Sequence, residues 1–217
     1  DCIYKNNLNS FKAFIPMHLG GNAKNNFDLK KIKKKYNAYC IEDACHGLGS
    51  ETIIKNKKYK IGSCKNSDIC TFSLHPLKTI TSGEGGLITT NSAYIANKLK
   101  LLRSHGIEKN PINFHKNKTT HDDKGLANIW YYQVQNIGLN YRLSDINCSL
   151  AYSQLKKIKK FVTRRRKISK IYNNVFSRFN HFLTPKNNIN LSSCHLYSLK
   201  IFFEKIKITR NLLMKKL

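Results

Sequence analysis

The chain has 217 residues, enough to bury one sizeable core and begin a second. Its 39 Lys and Arg residues against 12 Asp and Glu give a formal charge of +27. No apolar run is long enough to span a bilayer, no signal peptide is visible, and the seven cysteines have no paired spacing, which argues against a membrane protein or a disulfide framework and for a reducing, cytoplasmic setting.

A charge this high ordinarily points to nucleic acid or an anionic membrane surface. Here the excess is almost all lysine, is spread over every segment and accompanies abundant Asn and Ile, which is the pattern of compositional drift. No specific nucleic-acid partner and no membrane partner are expected. The tightest basic cluster, Lys156 to Lys167 with Arg164, Arg165 and Arg166, reads as the solvated face of a helix.

In chain order, Phe27 to Asn37 is predicted as a lysine-rich amphipathic helix, followed by a parallel strand over Ala38 to Glu42 that ends at Asp43. Ile69 to Ser73 reads as a short buried strand, which Pro76 stops just before Lys78. Gly83, Gly85 and Gly86 allow a tight turn, and Leu87 to Thr90 resumes as a second strand. Asn91 to Ser104 is a second amphipathic helix with Ile95, Leu99 and Leu102 on one face. Residues 107 to 135 lack periodicity; their His115, His121, Asp122 and Asp123 match no zinc spacing and read as a solvated loop, so no metal is expected. Ser144 with Asp145 caps a long helical stretch whose apolar faces are Ile146, Leu150, Leu155 and Ile158, then Ile168, Ile171, Tyr172, Val175 and Phe179. Cys194 to Phe203 alternates as a strand, and Thr209 to Leu217 begins a further helix.

One stretch carries chemistry. Residues 70 to 91 surround Lys78 with a serine five positions before it and a glycine-rich turn after it. A nucleophilic lysine must be held at the end of a rigid element and partly desolvated. On composition alone Lys78 is one solvated lysine among many, and Asp43 alone would be an ordinary helix N-cap. Yet a carboxylate at the C-terminal end of a parallel strand sits where open α/β sheets place their ligands, so Asp43 and Lys78 are predicted to share one edge.

Six segments extend this reading: Pro-Met-His-Leu-Gly-Gly (16 to 21), Ile-Glu-Asp-Ala-Cys-His-Gly-Leu-Gly-Ser (41 to 50), Phe-Ser-Leu-His-Pro-Leu-Lys (72 to 78), Gly-Glu-Gly-Gly (83 to 86), Leu-Arg-Ser-His-Gly (102 to 106) and Gly-Leu-Asn-Tyr-Arg-Leu (138 to 143). In this order they resemble the DegT-type sugar aminotransferases, which use pyridoxal phosphate and have the aspartate-aminotransferase-like fold. The His-Pro before the lysine and Thr-Ser-Gly-Glu-Gly-Gly after it look most like the members that act at C4 of a UDP-linked keto-sugar on the way to pseudaminic acid.

The resemblance implies an α/β fold with a mostly parallel sheet and a transfer of the amino group of a donor amino acid, glutamate in the family, to a nucleotide-linked keto-sugar for surface polysaccharide or glycan synthesis. Lys78 would bond to the cofactor aldehyde and, once freed, move the proton. Asp43 would pair with the pyridinium nitrogen, His46 would lie beside the ring hydroxyl, and Ser73 would donate to the phosphate. Asn140 would reach the phosphate of a neighbouring subunit, implying a homodimer. For Ser73, His46 and Asn140 the readings as a strand-end hydroxyl, a packed histidine and a turn residue stay open, and Arg103, His105 and Arg142 receive no role. A dehydratase of the same fold usually replaces the lysine by histidine, so Lys78 argues against it; an inactive truncated protein is a further alternative. The resemblance also implies an internal portion of a longer enzyme, with residues 1 to 143 from the cofactor-binding domain, 144 to 180 as connecting helices and 181 to 217 beginning a small C-terminal domain.

Overall fold

The computed structural model describes residues 10–23, 29–115, 117 and 119–217. They form two compact units, one running through Thr89 and resuming at Ile146–Leu217, the other Thr90–Asp145.

The first unit is built on a four-stranded sheet. Its strands are β1 (Ala13–Phe14), β2 (Tyr39–Asp43), β5 (Ile69–Ser73) and β6 (Gly86–Thr89), side by side in the order β1-β2-β5-β6. The β1–β2 and β2–β5 pairs are parallel, with Asp43 opposite Thr71, whereas β6 returns antiparallel with Gly86 opposite Ser73. The connection from Ser73 to Gly86 folds as hydrogen-bonded turns and contains no helix to carry a parallel crossover, and the strand after it reverses. A separate hairpin joins β3 (Glu51–Ile54) to β4 (Lys57–Lys60).

Strand alternation decides what faces the core. Cys40, Cys70 and Phe72 are buried on one side, where Cys70 and Phe72 pack with Ala23, Ala44, Ile61 and Cys64. Burial raises the pKa of the Cys40 and Cys70 thiols, that of Cys40 to about 12, so these two act as small hydrophobes. Tyr39, Ile41, Asp43, Thr71 and Ser73 lie on the other face. Helix α1 (Leu29–Tyr36) precedes β2; Phe27 and Asp28 of the expected helix lie outside the described residues. It ends at Asn37, whose φ of 46° is left-handed.

The long helical stretch is two helices, α3 (Asp145–Leu155) and α4 (Ile158–Phe176). Its expected first apolar face is not buried: Ile146 is 83% exposed, and Leu150 and Leu155 are also exposed. The expected strand over Cys194 to Phe203 is confined to β10 (Lys200–Ile201), paired antiparallel with β9 (Phe182–Leu183). Cys194 has a φ of 50°, incompatible with a strand, and residues 192–196 bond to the sheet-edge loop instead of to a ladder. Short helices α5 (Phe203–Ile206) and α6 (Arg210–Lys216) end the unit. Among the described residues no helix is long and apolar enough to cross a membrane.

The second unit contains α2 (Ala93–Leu102), capped by Ser92, whose Oγ accepts from the Ile95 amide, and the short pair β7 (Ile107–Glu108) with β8 (Gln133–Val134). The segments Leu102–Gly106 and Gly138–Tyr141 interlock through their backbones: Leu139 donates to Leu102, His105 to Leu139, and Tyr141 to Arg103, at 2.8–3.0 Å. Gly106 is required here, because a Cβ would fall 1.7 Å from the Asn136 carbonyl oxygen. In the loop before β8, Asp122 accepts from the amides of Lys124 and Leu126, so this acidic residue builds a turn. Among the described residues no group of three His, Cys, Asp or Glu could hold a metal.

Candidate active site

Asp43 closes β2, and its backbone is held from both sides. Its amide donates to Pro16, its carbonyl accepts from His18, and the next amide, Ala44, donates to Thr71. The carboxylate accepts the Cys45 amide at 3.0 Å. Burial works to raise the pKa of Asp43, but the bonds from Cys45 and the charges of His46 and Lys78 outweigh it and hold the group below its ordinary value. The result is a fixed, ionised carboxylate at the end of a strand.

Lys78 lies on the turn between β5 and β6. That turn is tied to itself: Lys78 donates its amide to His75, Ser82 donates to Leu74, and Leu74 donates to Gly85. Thr79, Ile80 and Ser82 are buried beneath it, while Leu77 is exposed and Lys78 is half-buried. His75 Nδ1 accepts the Leu77 amide at 3.1 Å, so this histidine shapes the turn that presents the lysine. The Lys78 charge acts on Asp43, Cys45, His46 and His195, so these groups share one electrostatic neighbourhood. Cys45 sits among them as a neutral thiol, raised first by burial and then by Asp43.

Ser73 ends β5 on the same face as Asp43. Its Oγ accepts the His75 amide at 3.3 Å, which leaves its own proton for an acceptor in the site. His46 is gripped twice: its Nδ1 accepts the Gly20 amide at 3.3 Å, and its carbonyl accepts Ser193 Oγ at 2.9 Å. Burial first, then the Lys78 charge, lowers its pKa against the opposing pull of Asp43. Gly21 is part of the grip, since with φ at 87° a Cβ would fall 2.2 Å from Ser193 Oγ.

Four of the five predicted residues, Asp43, His46, Ser73 and Lys78, belong to this unit. Asn140 belongs to the other, exposed and bridged antiparallel to Ser104. The site also has a member with no motif signal, His195, whose ring lies 4.4 Å from that of His46. Nor is the basic cluster of α4 wholly solvated. Arg165 Nη1 donates to the His195 carbonyl at 3.2 Å and Arg166 Nε to the Ser192 carbonyl at 2.8 Å, while Arg164 is exposed. Only the adjacency of three arginines in the sequence hinted at this.

The assembled groups offer an amine nucleophile, an anion for a cationic ring nitrogen, and donors for an oxygen and a phosphate. A Campylobacter jejuni UDP-4-amino-4,6-dideoxy-N-acetyl-beta-L-altrosamine transaminase is 36% identical over 199 residues, covering 91% of this chain and 47% of its own length. The structure of Helicobacter pylori PseC, an aminotransferase involved in the biosynthesis of pseudaminic acid, superposes with a TM-score of 0.72 at 28% identity, covering 94% of this chain and 50% of that one. An Escherichia coli GDP-4-keto-6-deoxy-D-mannose-3-dehydratase with bound hydrated PLP superposes at 0.71 with 26% identity, covering 94% and 50%. The chain thus spans about half the length of the relatives it matches. With the profile of the DegT/DnrJ/EryC1/StrS aminotransferases matching residues 5–217, the chain belongs to that aminotransferase family.

Proposed function

We propose that this chain carries the lysine half of a pyridoxal-phosphate site and belongs to an enzyme that transfers an amino group, with glutamate as donor, to a nucleotide-linked keto-sugar. The observation that carries the reading is Lys78 beside an ionised Asp43 at the C-terminal edge of parallel strands. The residues fit the cofactor in kind. Asp43 supplies the anion that keeps a pyridine nitrogen protonated, His46 has Nε2–H as its donor because Nδ1 already accepts, and Ser73 retains a hydroxyl proton for a phosphate oxygen. When bound, the cofactor supplies an electron sink that stabilises charge on the carbon losing its proton.

Lys78 has two tasks in this reading. Its amine would hold the cofactor through the aldehyde and, once free, would accept and return a proton at Nζ. A lysine favours transfer over the dehydration performed by same-fold relatives. Asn140 would serve a phosphate across a homodimer interface, a role supported by its exposed apolar neighbours Ile137, Leu139 and Tyr141. We assign residues 1 to 143 to the cofactor-binding domain, 144 to 180 to connecting helices and 181 to 217 to the start of a small domain, in a cytoplasmic enzyme of surface-glycan synthesis.

The test is chemical. Incubation with pyridoxal phosphate, borohydride reduction and peptide mapping should fix one pyridoxyl group, on Lys78. No label, or a label on another lysine, overturns the assignment.

A further inference from the structure

Two imidazoles lie face to face at the site, and the motif around Asp43 contains only one of them. The rings of His46 and His195 are 4.4 Å apart with planes inclined at 30°. His195 is delivered by a segment anchored far more tightly than packing requires. Ser192 Oγ and Ser50 Oγ both donate to the Gly21 carbonyl, at 2.9 and 2.7 Å, and the Ser193 amide donates to Ser50 Oγ at 2.8 Å. Arg165 and Arg166 hold the carbonyls of His195 and Ser192 from α4.

His46 is constrained by the same seat. Its Nδ1 accepts from Gly20, and a ring nitrogen that accepts carries no proton, so the neutral ring bears its proton on Nε2. His195 Nδ1, in contrast, is buried with no hydrogen-bond partner among the described residues. Leaving a buried polar atom unpaired is costly, so what the stack needs from position 195 is a neutral ring over His46, and the imidazole supplies it.

We propose that His195 is a positioning residue of the aminotransferase site: stacked on His46, it holds that ring as the neutral Nε2–H tautomer and keeps a second cation away from Lys78. The use of the site rests on the function proposed above; the geometry does not. The groups facing His46 are Lys78, Asp43 and His195, and those facing His195 are His46, Arg165 and Lys78. Asp43 alone favours an imidazolium at His46, and it is outweighed. Consistently, burial first, then His46, Arg165 and Lys78, pushes the His195 pKa down to about 4. A neutral His46 can then donate to an oxygen of the ligand without competing for the anion that Lys78 and the ligand ring require.

Ring-nitrogen NMR titration of the histidines tests this without cofactor. In the unmodified protein His46 should be the Nε2–H tautomer and titrate below the ordinary histidine range. His195→Phe, which keeps a neutral stacked ring, should leave both features in place. His195→Ala should move the His46 midpoint upward and weaken the Nδ1 bond to Gly20, with the backbone amide spectrum reporting that the fold survives. An Nδ1–H tautomer in the unmodified protein, loss of the tautomer in His195→Phe, or an unchanged His46 in a folded His195→Ala each overturns the proposal. Pyridoxyl labelling of Lys78 separates the two readings. A label on Lys78 with these NMR results failing sinks only the role of His195, whereas the NMR results holding with no label sinks only the aminotransferase reading.

Discussion

Glu42 and Asp43 are adjacent carboxylates with opposite duties because a strand sends successive side chains to opposite faces. Glu42, 7% exposed, points into the core side, where it accepts His18 Nε2 at 2.6 Å and the Ser67 hydroxyl. Burial raises its pKa, yet the bonds from His18 and Ser67 and the His18 charge prevail and hold it below its ordinary value. Asp43 points to the site face instead. Glu42→Ala should therefore cost about 2–4 kcal/mol, because it strands the buried Ser67 hydroxyl and the half-buried His18 ring. Asp43→Asn keeps an acceptor for the Cys45 amide and should cost under about 1 kcal/mol in urea, yet should abolish retention of pyridoxal phosphate. Denaturation midpoints and visible absorption after dialysis give both readouts; an Asp43→Asn protein that keeps its cofactor would remove Asp43 from the site.

Among the elements, α4 and the segment after it do what no single residue could. The helix aligns its arginines so that Arg165 and Arg166 reach backbone carbonyls of residues 192–195, while Arg164, one position earlier and about 100° around the helix, points to water. A hydrogen bond from a charged donor contributes about 1.5–3 kcal/mol, so Arg166→Ala should lower stability by that order. Arg164→Ala should change it by no more than about 0.5 kcal/mol. Equal effects in chemical denaturation would show that the clamp is not energetically used. The aromatic cluster on the same side, with Tyr197 donating to Asn173 at 2.7 Å and stacking edge-on against Tyr172, fixes where the segment leaves the clamp.

For the whole molecule, pH and assembly are the informative variables. His46 and His195 bind protons more readily when unfolded than when folded, because both folded pKa values are depressed. Stability rises with pH wherever the unfolded chain holds more protons. Their contribution is therefore complete above the unfolded value near 6.5 and is lost as pH falls toward about 4. Glu42 and Asp43, depressed acids, add a loss below the ordinary carboxylate range. Thermal melts should show Tm falling from pH 7 to 4, with the upper part of that fall reduced in His195→Phe, where only His46 still contributes; a Tm flat over this range would contradict the buried imidazoles. If Asn140 serves the proposed dimer, Asn140→Ala should weaken cofactor retention while leaving stability within about 0.5 kcal/mol, measured by equilibrium dialysis and sedimentation. Retention equal to that of the unmodified protein would rule out the cross-subunit contact.

The strands around the site were legible because hydrophobic alternation and turn residues are local. Ile69 to Ser73 could be bounded by Pro76, β2 could be traced to Asp43, and the glycine turn placed Lys78 between β5 and β6. The two motifs at 102–106 and 138–143 were visible as motifs, but that they interlock, making Gly106 and Asn140 parts of one backbone pairing, follows only from the fold. The reversal of β6, the break of the expected strand at Cys194 and the exposure of Ile146 likewise came from the fold. So did the seat of His195, where Ser-Ser-Cys-His has no periodicity and its partners are carbonyls, an amide-bearing loop and a hydroxyl between residues 20 and 50. Local pattern fixes which face a side chain takes. Which distant backbone group it meets there depends on a closure over nearly 150 residues, which only the tertiary structure supplies.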